Sequence, residues 1–134
     1  MEVLDLFELY IKNYVAPILV ESSKEIDLKN GVEIDGDCGV FELQGKYDSN
    51  GEYHLPNWLS VLNGNADKER TLLIIKNIND TDEDNQMKFY ELLKYRKMDT
   101  VQLPQNCVII ATCNNLKEKP INPTLYSLMA HIKL

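Results

Sequence analysis

The stretch TLLIIKNIND, residues 71–80, decides the fold that the sequence predicts. Thr71 and the four apolar residues after it form a continuous run without alternation, which is typical of a strand covered on both faces. The run ends in Lys76 and Asn77, although the end of such a strand is where phosphate-handling α/β proteins manage magnesium and water. The stretch therefore predicts a central strand with an unusual ending.

Strand and helix patterns alternate along the rest of the chain. Helical spacing over residues 4–15, a helix from Pro56 onward and a helix beginning within residues 81–84 separate the extended pieces. Those pieces are residues 18–20, 32–34, 40–43, 72–75 and 107–112, with a small hairpin over residues 98–106. The alternation predicts an α/β fold with a mainly parallel central sheet, and we expect one domain over residues 1–134.

Composition and charge exclude several classes of protein. The net charge is −7, from 21 acidic and 14 basic residues, which disfavours nucleic acid as a partner. The apolar runs fall short of the roughly 20 residues of a membrane-spanning helix, and the first residues lack the basic start of a signal peptide. We therefore expect a cytoplasmic protein with no membrane partner.

The cysteines and histidines predict neither a metal site nor nucleophilic catalysis. Cys38, Cys107 and Cys113 form no CxxC pair, and His54 and His131 are the two histidines available to complete a site. Cys107 and Cys113 are an even number of residues apart, so they are expected on one face of a strand as reduced, buried thiols.

His54 lies close in sequence to two aromatic residues, Tyr53 and Trp58. These side chains are compatible with either a small-molecule pocket or a packed turn, and we favour the turn. We assign no catalytic residue and no metal ligand.

Residues 71–134 resemble the second half of an AAA+ ATPase module, nearest to its MoxR/McrB-like branch. Four segments carry the resemblance in order: LLIIKNIND, FYELLKYRK, LPQNCVIIATCNN and INPTLYSLMAHI. It implies a three-layer, P-loop-NTPase-like fold. Because the chain stops at Leu134, we expect a truncated form that lacks the last strand and the helical lid.

The resemblance implies that the acidic pair of the ATPase, called Walker B, is replaced. In the family, an aspartate at this strand end supports magnesium and a glutamate polarises the attacking water. Lys76 and Asn77 stand at those two positions here. A lysine does not hold a divalent cation and an asparagine does not accept a proton from water, so hydrolysis is expected to be lost.

The phosphate-binding loop is expected to be lost as well. Such a loop needs two glycines, then lysine and Ser/Thr, so that backbone amides wrap the phosphates. In the candidate segment, residues 21–28, Glu21 and Ile26 stand in the glycine places and Asp27 stands in the lysine place. Two added carboxylates are expected to repel a triphosphate.

One functional position of the family is retained and another is lost. Asn114 matches the sensor-1 asparagine that reads the γ-phosphate, although the same amide at a strand end also suits a cap for the following turn. Tyr126 and Leu128 stand where the family commonly has arginines that reach a neighbouring subunit's nucleotide. The subunit-to-subunit trigger is therefore expected to be missing.

Three functions remain open from the sequence. The leading hypothesis is a catalytically inactive AAA+-like scaffold, without cofactor, that acts through protein contacts with an intact AAA+ ATPase or with another copy of itself. The second is a nucleotide-binding sensor without hydrolysis, which uses Asn114 and a lysine such as Lys24 or Lys46. The third is a small acidic inhibitor, related to mobile elements or defence, that occupies a partner's basic groove.

Overall fold

The computed structural model describes residues 16–23, 31–64 and 71–134. Nine strands lie in these ranges: β1 (Ile18–Glu21), β2 (Gly31–Asp35), β3 (Lys46–Tyr47), β4 (Tyr53–His54), β5 (Thr71–Lys76), β6 (Lys97–Met98), β7 (Val101–Gln102), β8 (Cys107–Cys113) and β9 (Ala130–Lys133). Five helices lie in the same ranges: α1 (Val40–Leu43), α2 (Asn57–Gly64), α3 (Glu83–Gln86), α4 (Tyr90–Tyr95) and α5 (Pro123–Tyr126). A 3-10 turn, Met87–Phe89, joins α3 to α4.

The central sheet has five strands in the order β2-β5-β8-β1-β9. Each of its four neighbouring pairs is parallel, which confirms the predicted α/β fold with a mainly parallel sheet. The register aligns Ile74 with Ile110 and Ile110 with Ile18, so a row of isoleucines crosses the middle strands. The strands β3–β4 and β6–β7 form two separate antiparallel hairpins, the second of which was also predicted.

Both faces of the sheet are apolar. Alternate residues of β5 enter two different buried clusters, Leu73 and Ile75 on one face and Leu72 and Ile74 on the other. The larger cluster also contains side chains from the described helices, such as Phe89, whereas the smaller one consists of strand residues. The continuous run of β5 is thus explained, because a strand buried on both faces has no polar side to alternate with.

Two cysteines lie on one face of β8, as the sequence predicts. Cys107 and Cys113 both belong to the larger buried cluster, and both are free thiols. Their even spacing brings them to the same face because side chains alternate along a strand.

The predicted extended piece at residues 40–43 was wrong, because these residues form the single helical turn α1. Val40 and Phe41 have strand propensity, but Phe41 is 80% exposed and pairs with no strand. Leu43 is the buried residue of α1, and its carbonyl oxygen accepts a hydrogen bond from Trp58 Nε1 at 3.0 Å. The contact of Leu43 with the distant Trp58 therefore outweighs the strand propensity of Val40 and Phe41.

The expected absence of a last strand was also wrong. β9 pairs with β1 in parallel, and the amide of Ala130 donates to the carbonyl oxygen of Pro17 at 2.8 Å. The helix that precedes it ends at Tyr126 instead of running on through the following residues. The predicted helix over residues 4–15 lies outside the described ranges.

Candidate functional site at the carboxyl ends of the sheet

The carboxyl ends of β1 and β8 lie side by side, and the connections that leave them run in opposite directions. The chain passes from β1 to β2 at one edge of the sheet, and from β8 to β9 at the other edge. Ligands of open α/β sheets bind at such a reversal of strand order. A cavity of about 320 Å³ lies here, between the residues that follow β1 and β8 and the end of β9.

Polar and charged side chains line much of this cavity. The lining residues of these types include Glu21, Asn114, Lys117 and Lys133. Lys133 Nζ lies 3.8 Å from Glu21 Oε2, and both belong to strand ends that the β1–β9 pairing brings together. The candidate site is therefore built from three separate parts of the chain.

Asn114 is the predicted site residue that the fold brings to this cavity. It directly follows β8, is half-buried, and its carbonyl oxygen accepts a hydrogen bond from Asn79 Nδ2. Within the described ranges, no hydrogen bond involves the Asn114 side chain. Asn114 therefore lines the cavity, and its role as a phosphate sensor stays a prediction.

The loop after β8 is held in place by two buried amide side chains, which belong to residues that follow β5 in the chain. Asn79 Nδ2 donates to the carbonyl oxygens of Asn114 and Lys119, at 2.5 and 2.8 Å. Gln86, which is fully buried, donates to the carbonyl of Pro120 at 3.0 Å and accepts from the amide of Asn122 at 2.7 Å. The loop that forms one wall of the cavity is thereby fixed at both of its ends.

Lys76 and Asn77 end β5 in a structural turn. Lys76 Nζ lies 3.6 Å from Glu33 Oε2 on the neighbouring strand β2. Asn77 has a left-handed backbone with φ of 54°, and its amide donates to Thr112 Oγ1 at 2.9 Å. Asparagine tolerates this conformation better than most residues do, which gives Asn77 a conformational reason to stand here.

The structure describes residues 21–23 of the predicted phosphate-loop segment, which spans residues 21–28. Glu21 is the last residue of β1, while Ile26, Asp27 and Lys24 lie outside the described ranges. Residues 22–30 connect β1 to β2, so the connection has nine residues. Helical crossovers between parallel strands take a dozen residues or more, so this connection is shorter than a phosphate loop with its helix requires.

Leu128 and Tyr126 serve packing in this structure. Leu128 is half-buried and packs against the larger apolar cluster. The ring of Tyr126 lies 3.8 Å from the ring of His131, centroid to centroid, and its carbonyl oxygen is 2.9 Å from His131 Nε2. Both residues thus stabilise the entry into β9.

His54, Tyr53 and Trp58 do not converge on one pocket. Tyr53 donates its hydroxyl hydrogen to Asp99 Oδ2 at 3.2 Å, and Trp58 donates to the backbone of α1.

Lys46, a lysine proposed for nucleotide binding, lies in the β3–β4 hairpin and not among the residues that line the cavity.

Sequence reasoning missed a group of three metal-compatible side chains on the β3–β4 hairpin. Ligand atoms of Asp48, Glu52 and His54 all lie within 4.8 Å of one another, and His54 Nε2 is 2.8 Å from Asp48 Oδ2. The signal available in the sequence was their spacing of four and two residues around a turn. The assignment of no metal ligand stays a prediction.

Cys113 lies next to Asn114 and is buried at the end of β8. Burial, together with the nearby carboxylate of Glu21, raises the pKa of the Cys113 thiol to about 12. Since the thiolate is the reactive form, thiol chemistry at this end of the sheet is disfavoured.

Comparison of the chain with protein-family models and with curated proteins gave no match. None of the helices in the described ranges has the length and apolar character that crossing a membrane requires.

Proposed function

We propose that this protein is a catalytically inactive, AAA+-like α/β domain that acts through protein contacts. The observation that carries the proposal is the end of β5, where Lys76 lies near Glu33 and Asn77 adopts a left-handed turn. An ATPase needs an acidic pair at this point to hold magnesium and to activate water. The residues present here instead join β5 to its neighbouring strands.

The connection between β1 and β2 supports the same function. Its nine residues are fewer than a helical crossover needs, and the helix after a phosphate loop supplies the amide groups that bind phosphates. A parallel sheet with a reversal of strand order is thus combined with a connection that does not suit triphosphate binding.

Exposed aromatic residues support a role in protein contacts. Phe41 on α1 is 80% exposed and Tyr47 on β3 is 74% exposed. Aromatic side chains are enriched at protein interfaces because they bury a large area on binding. The partners that we propose are an intact AAA+ ATPase or a second copy of the chain.

The enzymatic part of the proposal is tested by phosphate release from Mg-ATP. We expect no turnover above that of a heat-denatured sample, and no gain when Lys76→Asp and Asn77→Glu restore the acidic pair. Turnover that survives a second purification and falls in Asn114→Ala would overturn the proposal.

The contact part is tested by sedimentation velocity of the protein alone and mixed with a purified, intact AAA+ ATPase. We expect a complex in one of the two samples that weakens in Phe41→Ser and persists in about 1 M salt, because an apolar contact is not screened. Val61→Ser is the matched control, since Val61 is an exposed apolar residue of α2. A complex that high salt dissolves would favour the acidic inhibitor, and no complex in either sample would contradict the proposed partners.

A further inference from the structure

The geometry points to a binding site for a divalent transition-metal ion such as zinc on the β3–β4 hairpin. The ligands of the proposed site are the carboxylates of Asp48 and Glu52 and the imidazole of His54. The site is independent of the proposed scaffold function, because its residues do not line the cavity at the end of the sheet and it requires no protein partner. It is an alternative to the sequence-based assignment of no metal ligand.

The three side chains lie close enough together to bind one ion. Their ligand atoms are all within 4.8 Å of one another, and His54 Nε2 is 2.8 Å from Asp48 Oδ2. Two ligands of one tetrahedral zinc ion lie about 3.3 Å apart, because zinc bonds to nitrogen and oxygen are about 2.0–2.2 Å long. One ion can therefore contact all three after small movements of the exposed Glu52 and His54 side chains.

The charge of the hairpin favours a cation. Two carboxylates lie beside one imidazole, and no lysine or arginine of the described ranges forms an ion pair with either carboxylate. Lys46 is the cross-strand partner of His54, but it forms no ion pair with the residues that the structure describes. The group therefore carries an excess of negative charge, which a divalent cation would balance.

The imidazole nitrogen determines which kind of cation suits the site. Calcium and magnesium prefer oxygen ligands, whereas zinc and related transition metals also bind imidazole. This nitrogen distinguishes the hairpin from the purely acidic surface at the start of α3, residues 82–84. Three protein ligands leave at least one coordination position for water or for another molecule.

The backbone of the hairpin holds Asp48 in a suitable orientation. Asp48 Oδ1 accepts hydrogen bonds from the amides of Asn50 and Glu52, at 2.8 and 3.0 Å. The Asp48 amide donates to the carbonyl oxygen of Glu52 at 2.9 Å, which closes the turn. Asp48 Oδ2 is the oxygen that lies next to His54, and carboxylates that bind metals are typically supported by hydrogen bonds in this way.

The experiment is a titration of the chelator-treated, ¹⁵N-labelled protein with ZnCl₂ at pH 7, followed by ¹H–¹⁵N correlation spectra. We expect saturable changes in the amide signals of residues 48–54. Glu52→Gln and His54→Ala should each raise the dissociation constant for zinc at least about tenfold, as the loss of supporting residues does in other metal sites. The Glu52 side chain is exposed and forms no hydrogen bond within the described ranges, so Glu52→Gln removes a ligand and leaves the turn intact.

His131→Ala and Cys38→Ser are the controls for other metal-binding side chains. His131 lies in β9, away from the hairpin, and Cys38 is a half-buried free thiol. We expect both variants to bind zinc as the wild-type protein does. A loss of binding in either control, no saturable change at residues 48–54, or unchanged binding by Glu52→Gln and His54→Ala would each overturn the proposal.

Titrations with CaCl₂ and MgCl₂ test the choice of cation. We expect both to bind at residues 48–54 more weakly than zinc, because an imidazole is a poor ligand for these ions. Equal binding of calcium or magnesium would overturn the transition-metal assignment in favour of a simple attraction of cations to the acidic surface.

Discussion

The side chain of Asn79 donates from Nδ2 to the carbonyl oxygen of Asn114 at 2.5 Å, across 35 residues of sequence. Asn79 is 2% exposed and lies in the turn after β5, whereas Asn114 begins the loop after β8. The same amide also binds the carbonyl of Lys119, so one side chain holds two points of that loop. The turn after β5 therefore fixes the wall of the cavity.

Replacing Asn79 with alanine should destabilise the protein. The change leaves two carbonyl groups without their donor, and we expect the free energy of unfolding to fall by about 2–3 kcal/mol. Urea denaturation measures this, and amide signals of residues 114–119 should shift in the folded variant. Asn85→Ala is the control, because Asn85 is exposed and donates to Thr81 Oγ1 at the surface, so a change within about 0.5 kcal/mol is expected. Similar losses in both variants would show that the buried amide has no special role.

Two glycines between β2 and α1, Gly36 and Gly39, should respond differently to replacement by alanine. A Cβ atom at Gly36 would lie 2.1 Å from the carbonyl oxygen of Asn77, whereas nothing lies within 4 Å of one at Gly39. Because the obstacle at Gly36 is backbone, Gly36→Ala should lower the free energy of unfolding by about 2–3 kcal/mol, as other overpacked sites do. Gly39→Ala should leave it within about 0.5 kcal/mol or raise it slightly. Guanidinium denaturation compares the two, and a fully stable Gly36→Ala would mean that β2 and β5 do not end in close contact.

The parts of the fold that could be predicted are the strands that are buried on both faces. β5 and β8 lie between other strands with both faces covered, so each is a continuous apolar run that the sequence reveals. β9 lies at an edge, and its exposed residues His131 and Lys133 alternate with half-buried ones, which leaves too weak an apolar pattern to identify. α1 was mistaken for a strand because Val40 and Phe41 favour extended structure, while its position depends on the distant Trp58.

In the candidate site, only the residues that directly follow a predicted strand could be placed from the sequence. Glu21 and Asn114 follow predicted strands, and parallel strands gather their carboxyl ends at one edge. Lys133 reaches the cavity only through the pairing of β9, and Lys117 only through the loop that Asn79 holds. Such long-range contacts leave no local pattern in the sequence.

The pKa of Asp48 should report on its hydrogen bond with His54. That bond, with backbone donors from Glu52 and Asn50, lowers the pKa of Asp48 below its ordinary value of 3.8. A carboxyl group whose pKa is lower in the folded state contributes stability above pH 3.8, and this contribution is lost as the pH falls through the lower, folded-state value. We expect His54→Ala to raise the pKa of Asp48 in an NMR titration. We also expect this variant to be less stable than the wild-type protein at neutral pH, and the difference in stability to disappear at acidic pH.

His131→Ala provides the control for this titration. His131 contacts the carbonyl oxygen of Tyr126 and lies in β9, away from the β3–β4 hairpin. The pKa of Asp48 should be unchanged in this variant. An Asp48 that titrates identically in the wild-type protein and in His54→Ala would contradict the contribution of the hydrogen bond.

The three cysteines should differ in their reaction with a thiol reagent at pH 7.5. Burial raises the pKa of Cys107, and burial together with Glu21 raises that of Cys113 to about 12, so both remain protonated and covered. Cys38 also has a pKa raised mainly by burial, but it is half-buried, so we expect slow labelling of Cys38 alone in the native protein and of all three thiols in denaturant. Mass spectrometry identifies the labelled residues, and Cys38→Ser should abolish native labelling. Because Cys113 directly precedes Asn114, rapid labelling of Cys113 would mean that the end of β8 opens and that the wall of the cavity is not preformed.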